Sequence, residues 1–151
     1  MKRLLLILAV SLGSCSVERE THRPVVLERN SPAVGTNGVL VENVGLETIG
    51  GVFTPLLKTG CETPCKVSEI FSTAQDNQGK IEISLFRGAG SLVSENHALG
   101  ACYIVNIPAA PRGYPQIEVT VEAADGEIRL SAVDMATKRP MVIQRGGVGA
   151  R

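Results

Sequence analysis

Residues Leu46 to Leu57 read LETIGGVFTPLL, two apolar runs broken at a single point by Gly50-Gly51. A glycine pair lets the backbone take conformations closed to residues that carry a Cβ, so the pattern predicts strand, exposed corner, strand. Two readings are open at this point. The corner is a hairpin bend of a β-domain, or Leu46, Thr48 and Ile49 precede it because an extended ligand strand passes there and buries a side chain.

The chain of 151 residues is one domain of ordinary size, too short to hold a large ATPase as well. Lys+Arg and Asp+Glu each number 15, so no basic stripe points to nucleic acid. Aromatic residues are 3% with no Trp, and Val, Ile, Leu and Gly abound. That composition favours a β-sandwich of small side chains.

Past residue 38, short apolar alternations recur between turn signals at the spacing of an antiparallel sandwich. Strands are expected near Val39–Leu46, Gly51–Leu57, Val67–Thr73, Lys80–Arg87, Gly100–Asn106, Gln116–Ala123, Glu127–Asp134 and Pro140–Gln144. The fold class is therefore all-β, an antiparallel two-layer sandwich of about eight strands. Ile117, Val119 and Val121 alternate with Glu118, Thr120 and Glu122, giving one buried and one wet face. Asp125-Gly126 supplies a tight hairpin turn. Gly88–Ala98 reads as a surface loop, and Pro108–Pro115 (PAAPRGYP) is too proline-rich for an inner strand, so it is a rigid crossing segment.

At the front, Lys2-Arg3 precedes the short apolar run Leu4–Val10, and Leu12-Gly13-Ser14-Cys15 follows. The segment reads as a targeting sequence, residues 1–14, and resembles the bacterial lipoprotein signal. That resemblance implies lipid on the Cys15 thiol and cleavage just before it; two acyl chains are about what stable anchoring needs. Ser16 stands next with no Asp, which points to the outer membrane. The expected place is the bacterial cell envelope, lipid-anchored on the periplasmic side. Loss of Lys2 and Arg3 leaves 13 basic against 15 acidic residues. Residues 15–38 carry Pro24, Pro32, Gly35 and Gly38 without a sustained period and read as a flexible tether, with a placement of Pro24–Leu27 on the domain left open; 39–145 is then the folded domain and 146–151 a disordered tail.

Five stretches carry a resemblance to a known family: LETIGGVFTPL, IFSTAQDNQ (Ile70–Gln78), NHALG (Asn96–Gly100), PAAPRGYPQIEVT (Pro108–Thr120) and ADGEIRLSAVDMAT (Ala124–Thr137). In order and spacing they resemble the substrate-binding β-domain of DnaK-type heat-shock chaperones, over roughly Val39–Gln144. The resemblance implies a sandwich whose loops grip an extended peptide by its backbone while one apolar pocket selects a side chain. By match of motifs the peptide site is Leu46, Thr48, Ile49, Phe71, Ser72, Ala74, Gln78, Ile81, Ile83 and Ile117. Ile49 and Ala74 would form an arch over the peptide, with Ser72 and Gln78 where backbone and polar contacts are expected. From the residues alone, Ile81, Ile83 and Ile117 read as core filling.

Departures from the family set further expectations. No nucleotide-binding domain precedes the sandwich in this sequence, no GxxxxGK loop occurs, and no helical lid follows. Binding is therefore expected to be ATP-independent, without a cofactor or nucleotide in this chain, and with fast release. Arg112, which helps latch the lid in the family, would here only pin its own loop. Val25-Val26-Leu27 is apolar and tethered at high effective concentration, so self-occupation of the groove is a further expectation.

Cys61 and Cys65 lie four apart in C-E-T-P-C, spaced to close a small disulfide in an oxidising compartment or to stand as two thiols. Cys102 alternates with Ile104 and reads as a small core hydrophobe. His22 and His97 are too scattered for a zinc site or a catalytic set, so neither a metal nor an enzyme is expected. The leading function is a membrane-tethered holdase for extended apolar segments; the alternative is a module for one dedicated partner in envelope assembly.

Overall fold

The structure is a computed structural model and describes residues 24–146. Among them run nine strands: β1 (Val25–Glu28), β2 (Asn43–Thr48), β3 (Val52–Leu57), β4 (Cys65–Phe71), β5 (Ile81–Gly88), β6 (His97–Ile104), β7 (Ile117–Ala124), β8 (Glu127–Asp134) and β9 (Ile143–Arg145). They form two sheets, ordered β1-β8-β7-β4 and β3-β2-β5-β6-β9, with every pairing antiparallel. The two-layer sandwich is thus the architecture that the alternation implies.

The inner faces follow the period of two. Ile117, Val119, Val121 and Ala123 of β7 are buried, as are Ile128, Leu130 and Ala132 of β8; from the other sheet come Ile81, Ile83 and Leu85. Together they make one contiguous core that also takes in Cys102 and Ile104. Asp125 and Gly126 both have positive φ and close the β7–β8 hairpin, the conformation a two-residue turn requires. Gly45 answers a different need. A Cβ there would lie 2.1 Å from the Thr54 carbonyl oxygen, so only glycine lets β3 approach at the bulge beside Val44.

The domain begins earlier than expected. Residues 24–38 are part of the sandwich and not a tether: β1 pairs with β8, Leu27 and Ala33 are core residues, and Val34 bridges Leu40. The physical cause lies far along the chain, since β8 has a free edge that β1 covers. Arg87 on β5 fastens β1 to the other sheet through Glu28 (3.0 Å) while also pairing with Glu42 (2.9 Å), just ahead of β2 in its own sheet, and Arg145 donates to the Leu27 carbonyl at 2.8 Å. Burial opposes the Arg87 charge, yet the hydrogen bonds that it donates to Glu28 and Glu42 outweigh it and raise its pKa further. Val25-Val26-Leu27 therefore occupies a sheet edge, which corrects the expectation that it fills the groove.

Smaller shifts concern boundaries. β2 starts at Asn43, because Val39 and Leu40 make only isolated bridges with Glu62 and Val34. The 88–98 loop contains a short 3-10 turn, Val93–Glu95, and β6 already begins at His97. Pro140 bridges Val133 and lies outside β9, as a residue without an N–H must at an inner position. Cys61 and Cys65 are joined by a disulfide, with Cα atoms 6.4 Å apart. Cys102 is fully buried; its thiol pKa is pushed up by that burial, with Arg145 acting in the opposite direction.

Candidate functional site: a cleft between two braced loops

Pairing between β2 and β5 stops at Leu46↔Leu85, whereas β2 and β3 stay paired to Thr48↔Val52. The tip of the β2–β3 hairpin therefore leaves the sheet. Opposite the departing tip, the start of β5 keeps its inward row, Ile81 and Ile83, but has lost its neighbour on that side. On the other sheet, Phe71 at the end of β4 pairs with Ile117 at the start of β7. Apolar side chains from both layers thus converge at one end of the sandwich, below two loops: the β2–β3 corner and the β4–β5 loop.

The corner is braced from outside. Gly50 and Gly51 have φ of 84° and 72°, the left-handed region that the turn imposes. The Gly51 N–H donates back to Thr48 at 3.2 Å, and the Thr48 hydroxyl bonds Val52 and Thr54. Residues 90–96 then hold the hairpin: the Val93 N–H donates to Gly51 at 2.9 Å, and the Phe53 N–H to Ser91 at 2.9 Å. That brace is itself held by Glu95, whose carboxylate accepts from the N–H groups of Ser91 and Leu92, and by Asn96, which bonds Gly90 and Leu92.

The second loop is braced by the proline-rich crossing segment. The Asn77 N–H donates to Ala110 at 2.9 Å, the Arg112 N–H to Asp76 at 2.9 Å, and the Gly113 N–H to Thr73 at 3.0 Å. The Ser72 hydroxyl donates to the Pro115 carbonyl. Inside the loop, the Gln78 side-chain oxygen accepts from Ala74 and Gln75 at 3.0 and 3.2 Å, while its nitrogen donates to Lys80 at 2.8 Å. Lys80 also stands over the Tyr103 ring.

The ten residues singled out in the sequence separate into three groups. Leu46 (5% exposed), Ile81, Ile83 and Ile117 are buried and form the floor, with Phe71 half-buried beside them. Thr48, Ile49 and Ala74 are exposed on the loops, Ile49 at 98%. Gln78 spends its polar side-chain atoms on its own loop's backbone and Ser72 its hydroxyl on the Pro115 carbonyl of the crossing segment, so both set loop shape. Arg112 contributes its backbone N–H to Asp76, and its guanidinium makes no ion pair among the described residues. Glu95, Asn96, Asp76 and Thr73 were not singled out. Asp76, Thr73 and Asn96 lie inside the quoted motifs, but their partners are not adjacent in sequence, and nothing local names them.

A fully exposed isoleucine above a floor of buried aliphatic residues, carried on loops that are separately fastened, defines a loop-built cleft at the end of a β-sandwich. The Hsp70 family model, described as Hsp70 protein, matches residues 34–147. The chain belongs to the Hsp70 family, and β1 lies ahead of the matched segment.

Proposed function

We propose that this protein binds extended apolar polypeptide segments in the cleft between the β2–β3 corner and the β4–β5 loop, as a chaperone-like holdase. The observation that carries the reading is the departure of the β2–β3 tip from β5 after Leu46, above Ile81, Ile83 and Ile117. An extended peptide offers its own N–H and C=O groups to the loop backbones, and one apolar side chain enters between Ile49 and the floor. Burying a Leu-sized side chain stabilises by about 1.5 to 3 kcal/mol, which with a few backbone hydrogen bonds supports micromolar affinity. Occupancy of unfolded chains by mass action would disfavour their aggregation without ATP. The same reading places the protein at the membrane through lipid on Cys15. From Cys15 to Val25 the chain spans at most about 35 Å, so the domain would stay close to the bilayer.

Titration with a fluorescent Leu-rich heptapeptide tests the binding: saturable micromolar binding, weakened at least tenfold in Ile49→Asp, is expected. Absence of binding across a peptide library would overturn general capture and favour one dedicated partner. Fractionation of Cys15→Ala tests the anchor, and unchanged recovery with membranes would sink it.

A further inference from the structure

We propose that a second site lies on the far side of the crossing segment: a cavity of about 510 Å³ that takes one compact, neutral, apolar small molecule. Its walls are the crossing segment after β6 and the β8–β9 connection, and its floor includes Ile107 and Ile117, both buried. The volume falls in the range of ordinary small-molecule sites, about 300 to 1,000 Å³. The site does not depend on the peptide-binding reading, although Ile117 borders both.

The chemistry of the lining selects the ligand. Pro108, Pro115, Met135 and Met141 present carbon and sulfur, two of them rigid and two adaptable. Among the polar side chains of the lining, Asp134, Thr137 and the Gln116 nitrogen are already engaged, which leaves the hydroxyl of the 75% exposed Tyr114 as a single neutral polar group at the rim. Asp134 accepts from the Ala136 N–H at 2.9 Å and the Thr137 hydroxyl at 3.0 Å, and the Gln116 side-chain nitrogen donates to Gly113 at 2.9 Å. A charged or sugar-like ligand would lose its hydration there with little in return. An extended polypeptide is disfavoured too, because Pro108 and Pro115 have no N–H and the Ala110 carbonyl is bonded to Asn77, so this wall offers no strand edge. What fits is a fused or substituted aromatic molecule without charge.

N-phenyl-1-naphthylamine, a neutral fluorescent probe, can be titrated into the purified full chain. Saturable one-to-one binding is expected, weakened at least tenfold in Ala136→Trp, which fills the cavity from its exposed rim, and within twofold of the parent in Ile49→Asp. Ala109→Phe fills the same space from the opposite wall and serves if the tryptophan variant does not fold. Absence of saturable binding, undiminished binding in a folded cavity-filled variant, or loss of binding in Ile49→Asp would each overturn the proposal, the last because the probe would then be reporting the peptide cleft.

Discussion

The Val93 N–H donates to the Gly51 carbonyl at 2.9 Å, so the corner that carries Ile49 is fixed by a residue from a separate loop. Glu95 organises that loop by accepting from two successive N–H groups. Glu95→Ala should therefore act on the cleft without touching it. Hydrogen bonds of this exposed kind contribute about 1 kcal/mol each at most, so a fall in Tm of a few degrees is expected, with heptapeptide affinity reduced several-fold. Calorimetry and the peptide titration check both; an unchanged affinity would mean that the corner needs no brace.

Gln78 closes the opposite loop with three hydrogen bonds from one side chain. Gln78→Ala removes all three and should weaken peptide binding more than it lowers stability, because the loop lies outside the core. Gln78→Glu keeps the acceptor for Ala74 and Gln75 but loses the donor to Lys80, so an intermediate affinity is expected. Equal affinities for the three proteins would contradict this division of roles.

β1 gives a stability test of the domain boundary. Leu27 is 4% exposed within the core, and truncating such a residue costs about 2 to 4 kcal/mol. Leu27→Ala should show that loss in urea unfolding, and a loss below about 0.5 kcal/mol is the size expected for a tether residue. Arg87→Ala should be destabilising by about 2 kcal/mol, since it leaves Glu28 and Glu42 without the cation that joins the sheets.

Much of this arrangement was readable in local patterns and the quoted motifs. The alternation of Ile117 to Val121 and the Asp125-Gly126 turn each depend on neighbours only, and they appear in the structure as written. Pro24–Leu27 could be seen as a stretch able to lie on the domain, but β1 as a strand was hidden because Pro24, Ser31 and Pro32 look like a linker, while its pairing is decided by β8 about a hundred residues later. The floor residues were legible as apolar, but the cleft was not legible from residue types alone: it depends on where β2 stops pairing with β5, a register event. The braces were hidden for a similar reason, since Asp76 finds its partner 36 residues on, at Arg112.

Cys102 supplies a pH signature. Burial raises its pKa above the ordinary 9.0, so the folded state holds the thiol proton more tightly than the unfolded chain does. Stability from this group is complete below the unfolded-state pKa and is lost as pH rises through the folded value, with a slope of at most about 1.4 kcal/mol per pH unit. Unfolding measured from pH 7 to 10.5 should show that decline, and Cys102→Ala should flatten it. A parent and variant with the same slope would assign the pH dependence to other groups.

The most direct test of the cleft is a methyl NMR titration of the isoleucine-labelled chain with an unlabelled Leu-rich heptapeptide. Shifts are expected at Ile49, Ile81, Ile83 and Ile117, with Ile128 unchanged because β8 pairs at that position with β1, away from the cleft. Shifts confined to Ile70 and Ile128, or none at saturating peptide, would contradict binding between the two braced loops.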